Sequence, residues 1–179
     1  SDDFGTILSQ GSAYVFAAPD TSAPITSINL APSANPNGWH NSPVRLTVFA
    51  EDEAGGSGLA EIRCALDPTV LPSVFDNLSG ACAYTGGGGD VSTDGSHTLY
   101  AASKDNAGNA ETPLVSLTMR IDSVKPTISA ERSPLANGIG WNNTNVTVNF
   151  QCNDNTNGSG MGICTDSQTI SSEGANQSV

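Results

Sequence analysis

Residues 36–48 read Pro-Asn-Gly-Trp-His-Asn-Ser-Pro-Val-Arg-Leu-Thr-Val, and residues 138–148 repeat the pattern as Gly-Ile-Gly-Trp-Asn-Asn-Thr-Asn-Val-Thr-Val. Gly38 and Trp39 match Gly140 and Trp141, Asn41 matches Asn143, and Val44 matches Val146, each pair 102 positions apart. Extended without a gap, residues 20–59 and 122–161 share 14 identities in 40 positions. They include Asp20/Asp122, Pro24/Pro126, Pro32/Pro134, Asp52/Asp154 and the Gly-Ser-Gly at 56–58 and 158–160. A period of about 100 residues is the length of a domain, not of a solenoid turn. The 179 residues therefore divide into an N-terminal arm, 1–19, a first domain, 20–121, and a second, 122–179.

Inside each unit the pattern is that of strands. Ile25–Leu30 is a first candidate. Val44, Leu46, Val48 and Ala50 then alternate with Arg45, Thr47 and Phe49, the period of a half-buried strand. Ala60, Ile62, Cys64 and Leu66 share one face of the next strand, and residues 67–90 make a longer excursion. Strands at 91–93, 97–103 and 114–121 follow, the last with Leu117, Met119 and Ile121 facing inward. Gly and Pro recur too often for a long amphipathic helix. About seven short strands in about 100 residues predict an all-β protein of tandem immunoglobulin-like β-sandwiches. Val146, Val148, Phe150 and Cys152 take the places of Val44 through Ala50, and Ile170–Val179 resembles Val91–Leu99. Nothing answers to Tyr100–Ile121, so the second sandwich is expected to be incomplete within this chain, lacking its last two strands.

Six basic residues against 18 acidic ones give a net charge of −12. That balance argues against nucleic acid, whose phosphates need clustered Lys and Arg, and against anionic membrane surfaces. No run of 18 apolar residues is present for membrane insertion. Ser1 reads as a mature or trimmed N-terminus, with no basic-then-apolar leader. The four cysteines fall two per unit, Cys64 with Cys82 and Cys152 with Cys164, without the Cys-x-x-Cys spacing of a zinc or redox site. This pairing predicts two disulfides and an extracellular, secreted protein, each bridge contributing about 3 kcal/mol. Cys164 takes the place of Ile62, so the second bridge is expected to join two neighbouring core strands.

Together Asp-x-x-x-Pro, Gly-Trp-x-Asn-x-x-Val-x-Val, Asp-x-x-x-x-Ser-Gly and Lys104-Asp105-Asn106-Ala107-Gly108-Asn109 resemble the bacterial immunoglobulin-like repeats found in tandem in secreted and cell-surface proteins. The resemblance covers residues 20–179. It implies an exported rod, stalk or spacer with structural or adhesive duties and does not imply an active site, so a non-enzymatic role is expected. Residues 1–18 resemble an FG-GAP propeller repeat through Phe4-Gly5 and Gly11–Phe16, but lack the calcium loop between those ends, and read as a detached strand. That strand, with Tyr14, Val15 and Phe16 at its centre, is a candidate donor to the incomplete second domain of a neighbouring copy. The expected partners are thus further copies of the chain or neighbouring repeats. The alternative is a carbohydrate- or protein-binding or spacer module of a secreted multidomain enzyme.

No catalytic set emerges. His40 and His97 lie far apart and read as surface or turn residues, and the Gly86–Gly89 run lacks the ending of a phosphate loop. Trp39 and Trp141 head core strands and read as packing residues, with sugar stacking the sharper alternative. No cofactor is expected except calcium, for which Asp52, Glu53, Asp105 and Asn109 offer turn oxygens that can meet at one end of a sandwich, joined by a linker Asp. The plain alternative is turn chemistry, which favours the same residue types. Asp154 is kept in the second unit, but its neighbours are asparagines, which weakens any site there. Asn-x-Ser/Thr sequons stand at Asn77, Asn142, Asn145, Asn157 and Asn176.

Overall fold

A computed structural model describes residues 18–179. The chain forms nine strands: β1 (Ile25–Ala31), β2 (Val44–Glu51), β3 (Leu59–Leu66), β4 (Gly89–Val91), β5 (Gly95–Asp105), β6 (Val115–Ile121), β7 (Thr127–Ser133), β8 (Val146–Asn153) and β9 (Gln168–Ile170). They make three antiparallel sheets, ordered β1-β2-β4, β3-β5-β6 and β7-β8-β9. Among the described residues the only helical element is a 3-10 turn at Phe75–Asn77.

The first two sheets face each other across one core. Alternation on β2 buries Val44, Leu46 and Val48 and turns Arg45 and Phe49 outward. Against them pack Leu99 and Ala101 of β5, Met119 and Ile121 of β6, and Val91 of β4. Cys64 and Cys82 belong to the same core, and their disulfide ties the end of the 67–90 excursion to β3. That excursion has a small core of its own, absent from the strand pattern: Phe75 and Leu78 bury against Ala102 on the outer face of β5. The Arg63 guanidinium lies 4.5 Å from the Phe75 ring centre.

The third sheet repeats the first. β1 pairs with β2 through Thr26↔Ala50, and β7 with β8 through Ile128↔Cys152, the same register moved by the repeat. Ile170 of β9 sits opposite Val146 as Val91 of β4 sits opposite Val44. The turn quoted above is also copied. Asn35 and Asn137 each accept, through the side-chain oxygen, the amide of the Trp four residues on, at 3.0 and 2.9 Å. Gly38 and Gly140 supply the positive φ this turn needs, 81° and 89°.

No described sheet covers β7-β8-β9, and no residue after Asp122 is fully buried. Among the described residues the second unit differs from the first by more than two strands. Residues 161–167, which match β3 in sequence, form no strand. The physical reason is that β3 pairs only with β5, and the second unit has no counterpart of β5 among the described residues. Cys164 is therefore bridged to Cys152 from outside any strand, not between two core strands as the repeat suggested.

Candidate cation site at the head of the first sandwich

Three segments far apart in sequence meet where the linker enters the first sandwich. The linker brings Asp20, the β2–β3 turn brings Asp52, and the end of β5 brings Asp105. One carboxylate oxygen from each lies within 4.8 Å of the others. Asp20 accepts the Ser57 amide at 2.6 Å, and Asp52 Oδ2 accepts the Gly58 amide at 2.6 Å. Asp105 is buried and accepts two bonds from Asn109, one from the backbone and one from the side chain, both at 2.7 Å. The Asn109 amide also donates to the Asp20 carbonyl at 3.1 Å. Gly56 is required here for space, since a Cβ would come within 2.7 Å of Asp52 Oδ2.

The amide and hydroxyl of Ser57, with the Ser22 amide, hold the Asp20 carboxyl down at about 2. The amide of Glu53 itself pulls that side chain down, but burial and the neighbouring carboxyls of Asp52 and Asp20 outweigh it and raise Glu53. Like charges held this close destabilise one another unless a proton or a cation sits among them. Asp52 Oδ1 is buried and has no hydrogen-bond partner. Three carboxylates with one free oxygen fit a hard cation such as calcium, with Asp20, Asp52 and Asp105 as its protein ligands.

Of the expected oxygens, Asp52 and Asp105 are thus brought together. Glu53 stands beside them, and Asn109 acts by fixing Asp105 and the linker. The linker residue was expected only in kind, because nothing in the local spacing ties Asp20 to Asp105, 85 positions on. The second unit keeps half of the arrangement. Asp122 accepts the Ser159 amide at 2.6 Å, and the Ser159 backbone and hydroxyl lower its pKa. Asn155 replaces Glu53, and with its side-chain nitrogen turned toward the carboxylates it donates to Asp154 and Asp122 at 3.0 and 3.1 Å. Asp154 Oδ2 is buried without a partner, as Asp52 Oδ1 is.

Both histidines depart from expectation. His40 is buried rather than at the surface, because its backbone lies between Arg120 and Asp122 and bonds to both. Its Nδ1 has no partner. His97 lies within β5 rather than in a turn, with Nδ1 2.6 Å from Asp67 and Nε2 3.2 Å from the Thr93 hydroxyl. This has the outline of an acid–base–nucleophile set, but Nε2 is also 2.9 Å from the Thr93 carbonyl. When the ring is protonated both nitrogens donate, Nδ1 to Asp67 and Nε2 to the Thr93 carbonyl, which makes His97 a clamp between the two. Burial alone would lower His97; the Asp67 carboxylate and the Thr93 carbonyl outweigh it and raise its pKa.

Trp39 is half-buried with the Arg120 guanidinium 5.9 Å away, whereas Trp141 is 52% exposed, with no described sheet covering its unit. The donor segment Tyr14–Phe16 lies outside the described residues. Fold and bridges together define an all-β protein with two disulfides, suited to an oxidising environment. Among the described residues no helix is long and apolar enough to cross a membrane. No family model, curated protein or solved structure matches this chain.

Proposed function

We propose that this chain is a non-enzymatic structural module of an extracellular appendage, filament or adhesin, built from immunoglobulin-like repeats and assembled through the uncovered sheet of its second unit. The strand order supports the family resemblance. β1-β2-β4 and β3-β5-β6 correspond to strands A-B-E and C-F-G of that sandwich.

The observation that carries the proposal is the groove of about 880 Å³ beside Trp141. Its walls include Asn142, Asn143, Arg132 and Glu173, an amide- and charge-rich lining that suits a sugar. Its floor, however, is Val146, Val148 and Ile170. Val146 and Val148 match Val44 and Leu46, which are fully buried in the first sandwich. A surface made of core positions is made to receive β-structure, and this favours assembly over glycan binding. Residues 6–18 are the donor that the sequence offers, and head-to-tail donation of this kind builds an open polymer.

Light scattering on the full chain beside a chain lacking residues 1–18 tests the reading. Polymers from the first and none from the second are expected; equal behaviour would overturn strand donation. A second reading, a calcium-rigidified spacer, is favoured by the unpartnered Asp52 Oδ1. Under it, chelator lowers the melting temperature of the chain but not of Asp105→Asn. A melting temperature unmoved by chelator removes it.

A further inference from the structure

The turn that the two units share differs at one position with a chemical consequence. Asn35 is followed by Pro36, whereas its counterpart Asn137 is followed by Gly138. Asn137 Oδ1 accepts two backbone amides, that of Ile139 at 3.1 Å and that of Trp141 at 2.9 Å. The bond to Ile139 closes a short ring that contains both Asn137 Cγ and the Gly138 nitrogen. That nitrogen donates to none of the described residues. Proline at this place in the first unit shows that the turn has no use for a hydrogen there. A Cβ on Gly138 would meet nothing within 4 Å, and both residues are exposed, so base and water reach the pair.

We propose that Asn137 is a self-modification site, at which the Gly138 nitrogen converts the asparagine to aspartate or isoaspartate. Base removes the Gly138 amide proton, and the nitrogen attacks Asn137 Cγ. The Ile139 and Trp141 amides hold the oxygen on which negative charge develops, as the donors of an oxyanion hole do. The Cγ–Nδ2 bond then breaks, and Nδ2 takes a proton from solvent and leaves as ammonia. Water opens the resulting succinimide at either carbonyl, so one water is consumed and one ammonia released. The chain holds two other Asn-Gly pairs, Asn37-Gly38 and Asn157-Gly158. Their glycine nitrogens are engaged, donating to the Asn35 carbonyl at 2.9 Å and the Asn155 carbonyl at 3.2 Å. Each must open before it can attack. Aspartate at 137 keeps the acceptor that the turn needs. Isoaspartate adds a carbon to the backbone and so disturbs the turn that carries Trp141 into the groove of the second unit. The inference does not depend on strand donation.

Incubation of the full chain at mildly alkaline pH, with peptide mapping by tandem mass spectrometry, tests this. Asn137 is expected to convert about tenfold faster than Asn37 or Asn157, the order of factor that opening one hydrogen bond imposes. Gly138→Pro, which copies the first unit, should abolish the conversion, and Pro36→Gly should confer it on Asn35. In denaturant the three Asn-Gly pairs should convert at similar rates, a comparison that needs no variant to fold. Equal rates in the folded chain overturn the proposal. So does a preference for Asn137 that persists in denaturant, which would assign it to local sequence, or an Asn35 that stays inert in folded Pro36→Gly.

Discussion

The two repeats share a turn, a register and a linker aspartate, yet one is a sandwich and the other a bare sheet. Val44, Leu46 and Val48 are fully buried, while Val146, Val148 and Phe150 at the same positions are only half so. The hairpin is therefore a local property of the sequence, set by alternation and by the Asn-x-x-Gly-Trp turn. Burial is not local. It comes from β5 and β6, whose strongest contribution is to cover a face that the first sheet cannot cover for itself.

The largest expected break in this comparison is a core truncation. In the chain lacking residues 1–18, where no donor strand is offered, Leu46→Ala should cost the first unit about 2–5 kcal/mol, and Val148→Ala less than about 1 kcal/mol, read from denaturant midpoints. Equal costs would mean that the second sheet is covered in solution.

Mild reductant should open Cys152–Cys164 well before Cys64–Cys82, since the first pair is half-exposed and the second buried in the core. Timed alkylation with mass analysis checks the order.

Smaller differences lie in pH. Asp20 has a folded pKa of about 2, below an unfolded value of ~3.9. Its stabilisation is present above pH ~4 and lost as pH falls toward 2, and Asp20→Asn removes that loss. Glu53 behaves in the opposite sense. Its raised pKa means that ionising it costs stability as pH rises, and Glu53→Asn, the residue of the second unit, should flatten that limb of the melting curve. His97 has a raised pKa, so its stabilisation is full below ~6.5 and lost as pH climbs through the folded value. His97→Gln should abolish this step in the melting temperature.

Much of the first sheet was legible because the repeat supplied its three strands twice. β1, β2, β7 and β8 follow from alternation, and β9 from its likeness to residues 91–99. The Phe75–Leu78 cluster was not legible: a 3-10 turn is too short to show a period, and its burial depends on Ala102, far along the chain. The failure of residues 161–167 to form a strand was hidden for a related reason, since their pattern is strand-like but no counterpart of β5 stands among the described residues. In the acidic site, Asp52 and Asp105 stood out as turn oxygens. Their meeting with Asp20 is a product of topology. His40 and His97 were misplaced because the strands that enclose them are remote in sequence.

Asp122 belongs to both units. Its amide donates to the His40 carbonyl beside β6, while its carboxylate accepts the Ser159 amide in the following turn. This carboxylate is held where the docked end of β6 places it, and the turn at 154–160 closes on it. The first sandwich thus carries the anchor of the second unit's turn, so a change that loosens His40 or the end of β6 is felt on both sides of the junction.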